Sequence, residues 1–148
     1  MNHIKNRVCL FIRVSADKQD CTRQVLELNN YCHQHGYSIV KTIATKITGS
    51  RTHKDRPDLL ELISLAKKKQ FDKVLVTEIS RIGRNAKDIR NTIDSLHSLQ
   101  IGIIFKNLGL ESLDDNNQES FVTNIIISIY AELAQEEKKM LIDRINPV

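Results

Sequence analysis

LFIRVSADKQ, residues 10–19, decides how the chain is read. It continues an apolar run that begins at Arg7, RVCLFIRV, short, rich in β-branched and aromatic residues and bounded by polar ones, which is the pattern of a strand buried inside a sheet. It closes as a polar turn. Arg13 sits within the strand and Ser15 at its mouth. Because side chains repeat every second residue along a strand, the guanidinium and the hydroxyl share a face. A guanidinium in an apolar strand has to find an anion. The neighbouring elements define the sheet, and the other charges indicate the anion.

Outward from this strand, the chain alternates element types. Val25, Leu28 and Cys32 stand at helical spacing within residues 21–35, and Gly36 follows as a stop. YSIVKTIA (residues 37–44) reads as a second strand, and TKITGSRTHKDRP after it as a polar, basic loop containing glycine. Pro57 suits the first turn of a helix running to about residue 69, with Leu59, Leu60, Leu62, Ile63 and Leu65 as its apolar side. KVLVTEI is a third strand, residues 86–99 a helix and IGIIFK a fourth strand. This order predicts an α/β domain with a mostly parallel open sheet flanked by helices. Residues 120–145 then lack Gly and Pro and run helical for about seven turns. The first half of that segment is apolar nearly all round, more than one sheet face can cover. Self-association is expected there, through a stripe of Val122, Ile126, Ile129 and Leu133. The expected division is an α/β core over about 1–118 and an oligomerisation helix over about 119–146.

Composition limits the partners. A chain of 148 residues fits one domain that buries roughly 70% of its unfolded surface. With 41% hydrophobic and 27% charged residues it reads as globular, and its apolar runs are too short to cross a bilayer. MNHIKNR leads straight into a strand, so a cytoplasmic protein is expected, with no membrane partner. Cys9, Cys21 and Cys32 cannot all pair, and reduced thiols are expected. The net charge is +4, and residues 1–56 hold 10 Lys and Arg against 4 Asp and Glu. That basic half carries Arg13, Arg23, Arg51, Lys54 and Arg56, which suggests a polyanionic partner.

The chain has no GxGxxG, no GxxxxGK[ST] and no HExxH. Neither a nucleotide cofactor nor a metal is therefore expected; CHQH at residues 32–35 lacks a second ligand pair. What remains is a hydroxyl among arginines. Functional groups collect at the carboxyl ends of strands in open α/β sheets, and Ser15 lies just past such an end. SRIGRN, after the third strand, sets Arg81 and Arg84 three apart, on one side of one turn if the helix has begun there. Arg56 closes the basic loop. A serine after a strand is ordinarily a turn or cap residue, and arginines opening a helix oppose its dipole, so each feature alone says little. Together they give the geometry for attack on a phosphodiester, since guanidinium forks match phosphate oxygens. The residues alone lead to a phosphate-handling α/β domain. It is either an enzyme or a non-catalytic module that binds a phosphate-bearing ligand or partner and dimerises through its last helix.

At these residues the sequence resembles the catalytic domain of the serine recombinases, the resolvase and invertase family. FIRVSADKQDCTRQ is similar to that family's opening motif, with Gln24 on the following helix; DRP resembles its arginine after the basic loop, ISRIGRN its paired-arginine motif, and AELAQEEKKMLIDR the start of its long helix. The resemblance implies a site-specific DNA recombinase with Ser15 as nucleophile, Arg13, Arg56, Arg81 and Arg84 as activating groups, and supporting roles for Gln24 and Glu137. It implies a 5′-phosphoserine intermediate without ATP or metal, double-stranded DNA as partner, and a homodimer that becomes a synaptic homotetramer. Arg51, Lys54 and Lys138 are the expected DNA contacts, Lys138 standing where arginine is frequent. Phe11 replaces a frequent tyrosine and Ser80 a frequent aspartate. The family's DNA-reading module commonly follows the point where INPV ends this sequence, so that domain is expected to be missing here.

Overall fold

The computed structural model describes residues 5–14, 18–46, 56–83 and 85–145. Strand β1 (Arg7–Val14) is buried on both faces. Val8, Leu10 and Ile12 pack into one apolar cluster, while Cys9 and Phe11 pack into another on the opposite side. Only a central strand is apolar both ways, and β1 lies between β2 (Ser38–Lys46) and β3 (Lys73–Val76), parallel to each. Beyond β3 comes β4 (Gly102–Phe105), also parallel, and then β5 (Leu110–Glu111), antiparallel. The order β2-β1-β3-β4-β5 matches the expected mostly parallel sheet. It places the reversal of strand order between β1 and β3, the position where open α/β sheets bind ligands.

Helix α1 (Lys18–His35) covers one face with Leu28 and Cys32, and Gly36 ends it at a φ of +73° that suits glycine. Helices α2 (Pro57–Lys67), α3 (Ala86–His97) and α4 (Phe121–Ile145) lie on the other face. Leu62, Ala66, Ile89, Ile93 and Leu96 there meet Phe11, Val74, Val76 and Phe105. Full burial of each larger side chain contributes about 1.5–3 kcal/mol. Among the described residues no helix is long and apolar enough to cross a membrane.

One expectation about the third strand is corrected. KVLVTEI is not a strand throughout: β3 ends at Val76, and Ile79–Arg81 forms a 3-10 turn that buries Ile79, with Ile82 buried just beyond it. Helix α3 begins at Ala86, as expected, behind Asn85, whose side chain accepts the Asp88 N–H at 2.8 Å. Arg81 therefore belongs to a turn, and helical spacing does not govern its relation to Arg84.

Helix α4 starts at a polar junction. Ser112 Oγ accepts the buried Ile103 N–H at 2.7 Å and contacts His97 Nε2 at 2.7 Å. His97 Nδ1 faces Glu119 at 3.2 Å, and Arg90 donates to Glu119 at 2.7 Å and to Asn124 of α4 at 3.1 Å. The Ser112 carbonyl accepts the Ser120 N–H at 2.9 Å. From this anchor Ile126, Ile127 and Tyr130 lie against the core. Phe121, Ile125, Ile129, Leu133 and Met140 are exposed, Phe121 to 78%. The expected stripe is thus divided: Ile126 packs against the core, whereas Ile129 and Leu133 are exposed.

Candidate active site

The end of β1 and the turn after β3 meet at the carboxyl edge of the sheet. Arg13, second from the end of β1, continues the face of Cys9 and Phe11, which is the face that α2 covers. Its partner in the sheet register is Thr45 of β2. On the α1 side, buried Gln24 donates through Nε2 to the Arg13 carbonyl at 3.2 Å and to Asp20 at 3.0 Å, tying the helix to the strand end. Ser15, Arg51, Lys54 and Arg84 lie outside the described residues. Glu137 and Lys138 fall on α4, with side chains outside what is described. Phe11 is buried in the core, so its ring serves packing.

Arg56 precedes Pro57, the first residue of α2. Its Nε and Nη2 donate to the two carboxylate oxygens of Asp58 at 3.1 and 2.9 Å, and Nη2 also donates to the Arg81 carbonyl at 3.2 Å. The pair is largely buried, with side chains 16% and 4% exposed. Burial works against the Asp58 carboxylate. The Arg56 hydrogen bonds and charge outweigh it, helped by the Leu59 N–H and the Thr45 hydroxyl, and hold its pKa below the usual carboxylate range.

The turn carrying Arg81 is fixed at three successive residues. Arg56 takes the Arg81 carbonyl, the buried Thr92 hydroxyl donates to the Ile82 carbonyl at 2.9 Å, and Gly83 lies against α3. A Cβ on Gly83 would come within 2.6 Å of the Ile89 backbone nitrogen, so the close approach requires glycine. The Arg81 guanidinium is held more loosely than that of Arg56: Nε donates to Thr77 Oγ1 at 3.3 Å and Nη2 lies 3.8 Å from Glu78. The Ser80 hydroxyl donates to Glu78 at 2.5 Å, so the carboxylate beside Arg81 comes from Glu78.

Sequence reading singled out Arg13, Gln24, Arg56 and Arg81, and the structure brings them to one edge on four elements. It missed Asp58, Thr45, Thr92 and Glu78. Asp58, two residues from Arg56 and opening a helix, carried a signal that also fits a carboxylate placed against a helix dipole. Burial raises the pKa of the Cys9 thiol to about 12 and raises that of Cys32 as well. Both thiols face the core and are poor nucleophiles.

Comparison with known proteins shows the family. The family described as "Resolvase, N terminal domain" matches residues 8–147. The Tn2501 transposon resolvase of Escherichia coli is 30% identical over 94% of this chain and 67% of its own length. A resolvase of Clostridium perfringens is 27% identical over 90% of this chain and 65% of its own length. The chain spans about two thirds of these relatives. A resolvase-family site-specific recombinase from Streptococcus pneumoniae superposes with a TM-score of 0.69 at 21% identity, over 95% of both chains. The N-terminal catalytic domain of TP901-1 integrase superposes at 0.65 and 22%, over 90% of this chain and 98% of its own. These two show the same fold. The chain belongs to the resolvase family of serine site-specific recombinases, whose N-terminal domain it spans.

Proposed function

We propose that the protein cuts and rejoins double-stranded DNA through Ser15. The hydroxyl oxygen attacks a backbone phosphate and gives up its proton; the bond from phosphorus to the 3′ oxygen breaks, and that oxygen gains a proton. A 5′-phosphoserine and a free 3′-hydroxyl result. A 3′-hydroxyl of a partner strand reverses the step, so the energy of the phosphodiester is kept in the serine ester and no ATP is needed. A serine hydroxyl is a weak nucleophile, and arginines meeting the charge that grows on the phosphoryl oxygens supply the activation electrostatically. Arg13, Arg56, Arg81 and Arg84 take that part, with Gln24 bracing β1 and Glu137 in support. Arg51, Lys54 and Lys138 contact the DNA backbone.

The observation that carries the reading is the bond from Arg56 to the Arg81 carbonyl, which joins two basic motifs distant in sequence. The exposed row of Phe121, Ile125, Ile129, Leu133 and Met140 at mainly four-residue spacing supports a dimer through residues 119–146 and a tetramer during exchange. The test is incubation with nicked duplexes tiled across the DNA flanking the gene, in EDTA, followed by a denaturing gel. The unaltered protein should form a covalent adduct and Ser15→Ala none, while both shift DNA on a native gel. An adduct that survives Ser15→Ala, or that needs added metal, would overturn the mechanism.

A further inference from the structure

We infer that Asp58 is a positioning residue for DNA cleavage, holding the Arg56 guanidinium in one plane and, through it, the turn that carries Arg81. The inference rests on the reading of Arg56 and Arg81 as activating groups and extends it to a residue that reading does not include.

Asp58 lies on the second residue of α2, where a carboxylate at the surface would serve the helix dipole alone. It is instead buried, at 5% exposure, and binds Arg56 through both oxygens. A flexible arginine carries several rotatable bonds, and a two-point fork fixes its plane as one contact cannot. Among the described residues the bonds of Arg56 run from Nε and Nη2 and do not use Nη1. Because Nη2 is shared between Asp58 and the Arg81 carbonyl, the carboxylate also sets where that turn sits. Thr45, whose hydroxyl helps to lower the pKa of the same carboxylate, is the register partner of Arg13. One buried carboxylate therefore links the segments of Arg56 and Arg81, and it lies near the strand position that pairs with Arg13. A buried ion pair is weak evidence of stabilisation in itself, and its better-attested use is to specify geometry.

The test compares the unaltered protein with Asp58→Asn and Asp58→Glu. Displacement of about 1 Å at a reacting centre costs on the order of 10²-fold. Asp58→Asn should lower the single-turnover cleavage rate between about tenfold and 10²-fold while DNA affinity stays within about twofold, since the altered group positions and does not bind. Asp58→Glu, which restores a carboxylate, should recover part of the rate. A second measurement needs no DNA: in 15N-labelled protein the Arg56 Nε–H, held by Asp58, should give a slowly exchanging resonance that disappears in Asp58→Asn. A folded Asp58→Asn protein with normal cleavage, or one that keeps the protected Arg56 resonance, would overturn the inference. An unaltered protein that shows the protected resonance but no Ser15-dependent cleavage would instead overturn the proposed activity.

Discussion

Two polar clusters of this domain are built from similar residues and behave differently. At the junction of α3, β5 and α4, Ser112, His97, Glu119 and Arg90 form a chain in which each group meets the next at 2.7 to 3.2 Å. At the carboxyl edge of the sheet Arg56 is fixed as firmly, but its neighbour Arg81 has contacts of only 3.3 and 3.8 Å. Serine, histidine and a carboxylate in a row suggest a nucleophile with its base. Ser112, however, is fully buried and already accepts the Ile103 N–H, so the row is structural. Closed networks hold elements together, whereas a fixed guanidinium beside a loosely held one is a place for an anion.

The largest expected difference between the clusters is in cleavage. Arg81→Ala should lower strand cleavage by on the order of 10²-fold or more, as loss of one preorganised charge stabiliser does, with melting temperature nearly unchanged. Circular dichroism and a single-turnover assay check both. A folded variant that cleaves normally would remove Arg81 from the site and erase the contrast.

At the other cluster, Ser112→Ala leaves the Ile103 N–H buried without its acceptor and should cost about 1–3 kcal/mol of stability. The chemical step should hold once the protein is folded. Denaturant unfolding measures the first and cleavage at low temperature the second. A stability loss near zero would mean that water or another group replaces the hydroxyl.

The two faces of α4 extend the comparison. Ile129→Glu, on the exposed side, should shift the protein toward monomer in sedimentation without unfolding it, while Ile126→Glu should destabilise the core by burying a charge. Equal effects would mean that both face the same surroundings.

The smallest difference is in pH dependence. Burial lowers the pKa of His97 from its ordinary 6.5, despite Glu119, and the contribution of Arg90 lowers it too. The folded state thus binds the proton less well than the unfolded one, and the stability contributed by neutral His97 is present above about pH 6.5 and is lost as pH falls through the lower folded value. Asp58 is also lowered, but from 3.8, so its contribution persists until pH falls below the ordinary carboxylate range. On acidification the junction should therefore weaken before the site edge. His97→Gln should remove most of the slope of stability just below pH 6.5, and an unchanged slope would assign it to other groups.

Much of this was legible from residue order. The alternation of strands and helices leads to a mostly parallel sheet, and an arginine inside the apolar run of β1 marks the candidate edge before any geometry is known. β5 escaped because two residues carry no periodicity. The end of β3 was misplaced because Ile79 continues the apolar run while the backbone has already turned; burial by a 3-10 turn and burial by a strand leave the same letters. Ile126 and Ile129 are both apolar and nearly adjacent around α4, and only packing decides that one faces the core. Asp58 was overlooked because a carboxylate opening a helix has an ordinary explanation, which its bidentate bond to Arg56 displaces.

If the proposed mechanism holds, the Ser15 hydroxyl becomes covalently joined to DNA. Peptide mass spectrometry of the adduct trapped on a nicked duplex in EDTA tests it most directly. The expected result is a nucleotide attached through its 5′-phosphate to the peptide containing Ser15, with a free 3′-hydroxyl on the released strand. Attachment at any other residue, or through a 3′-phosphate, would contradict it.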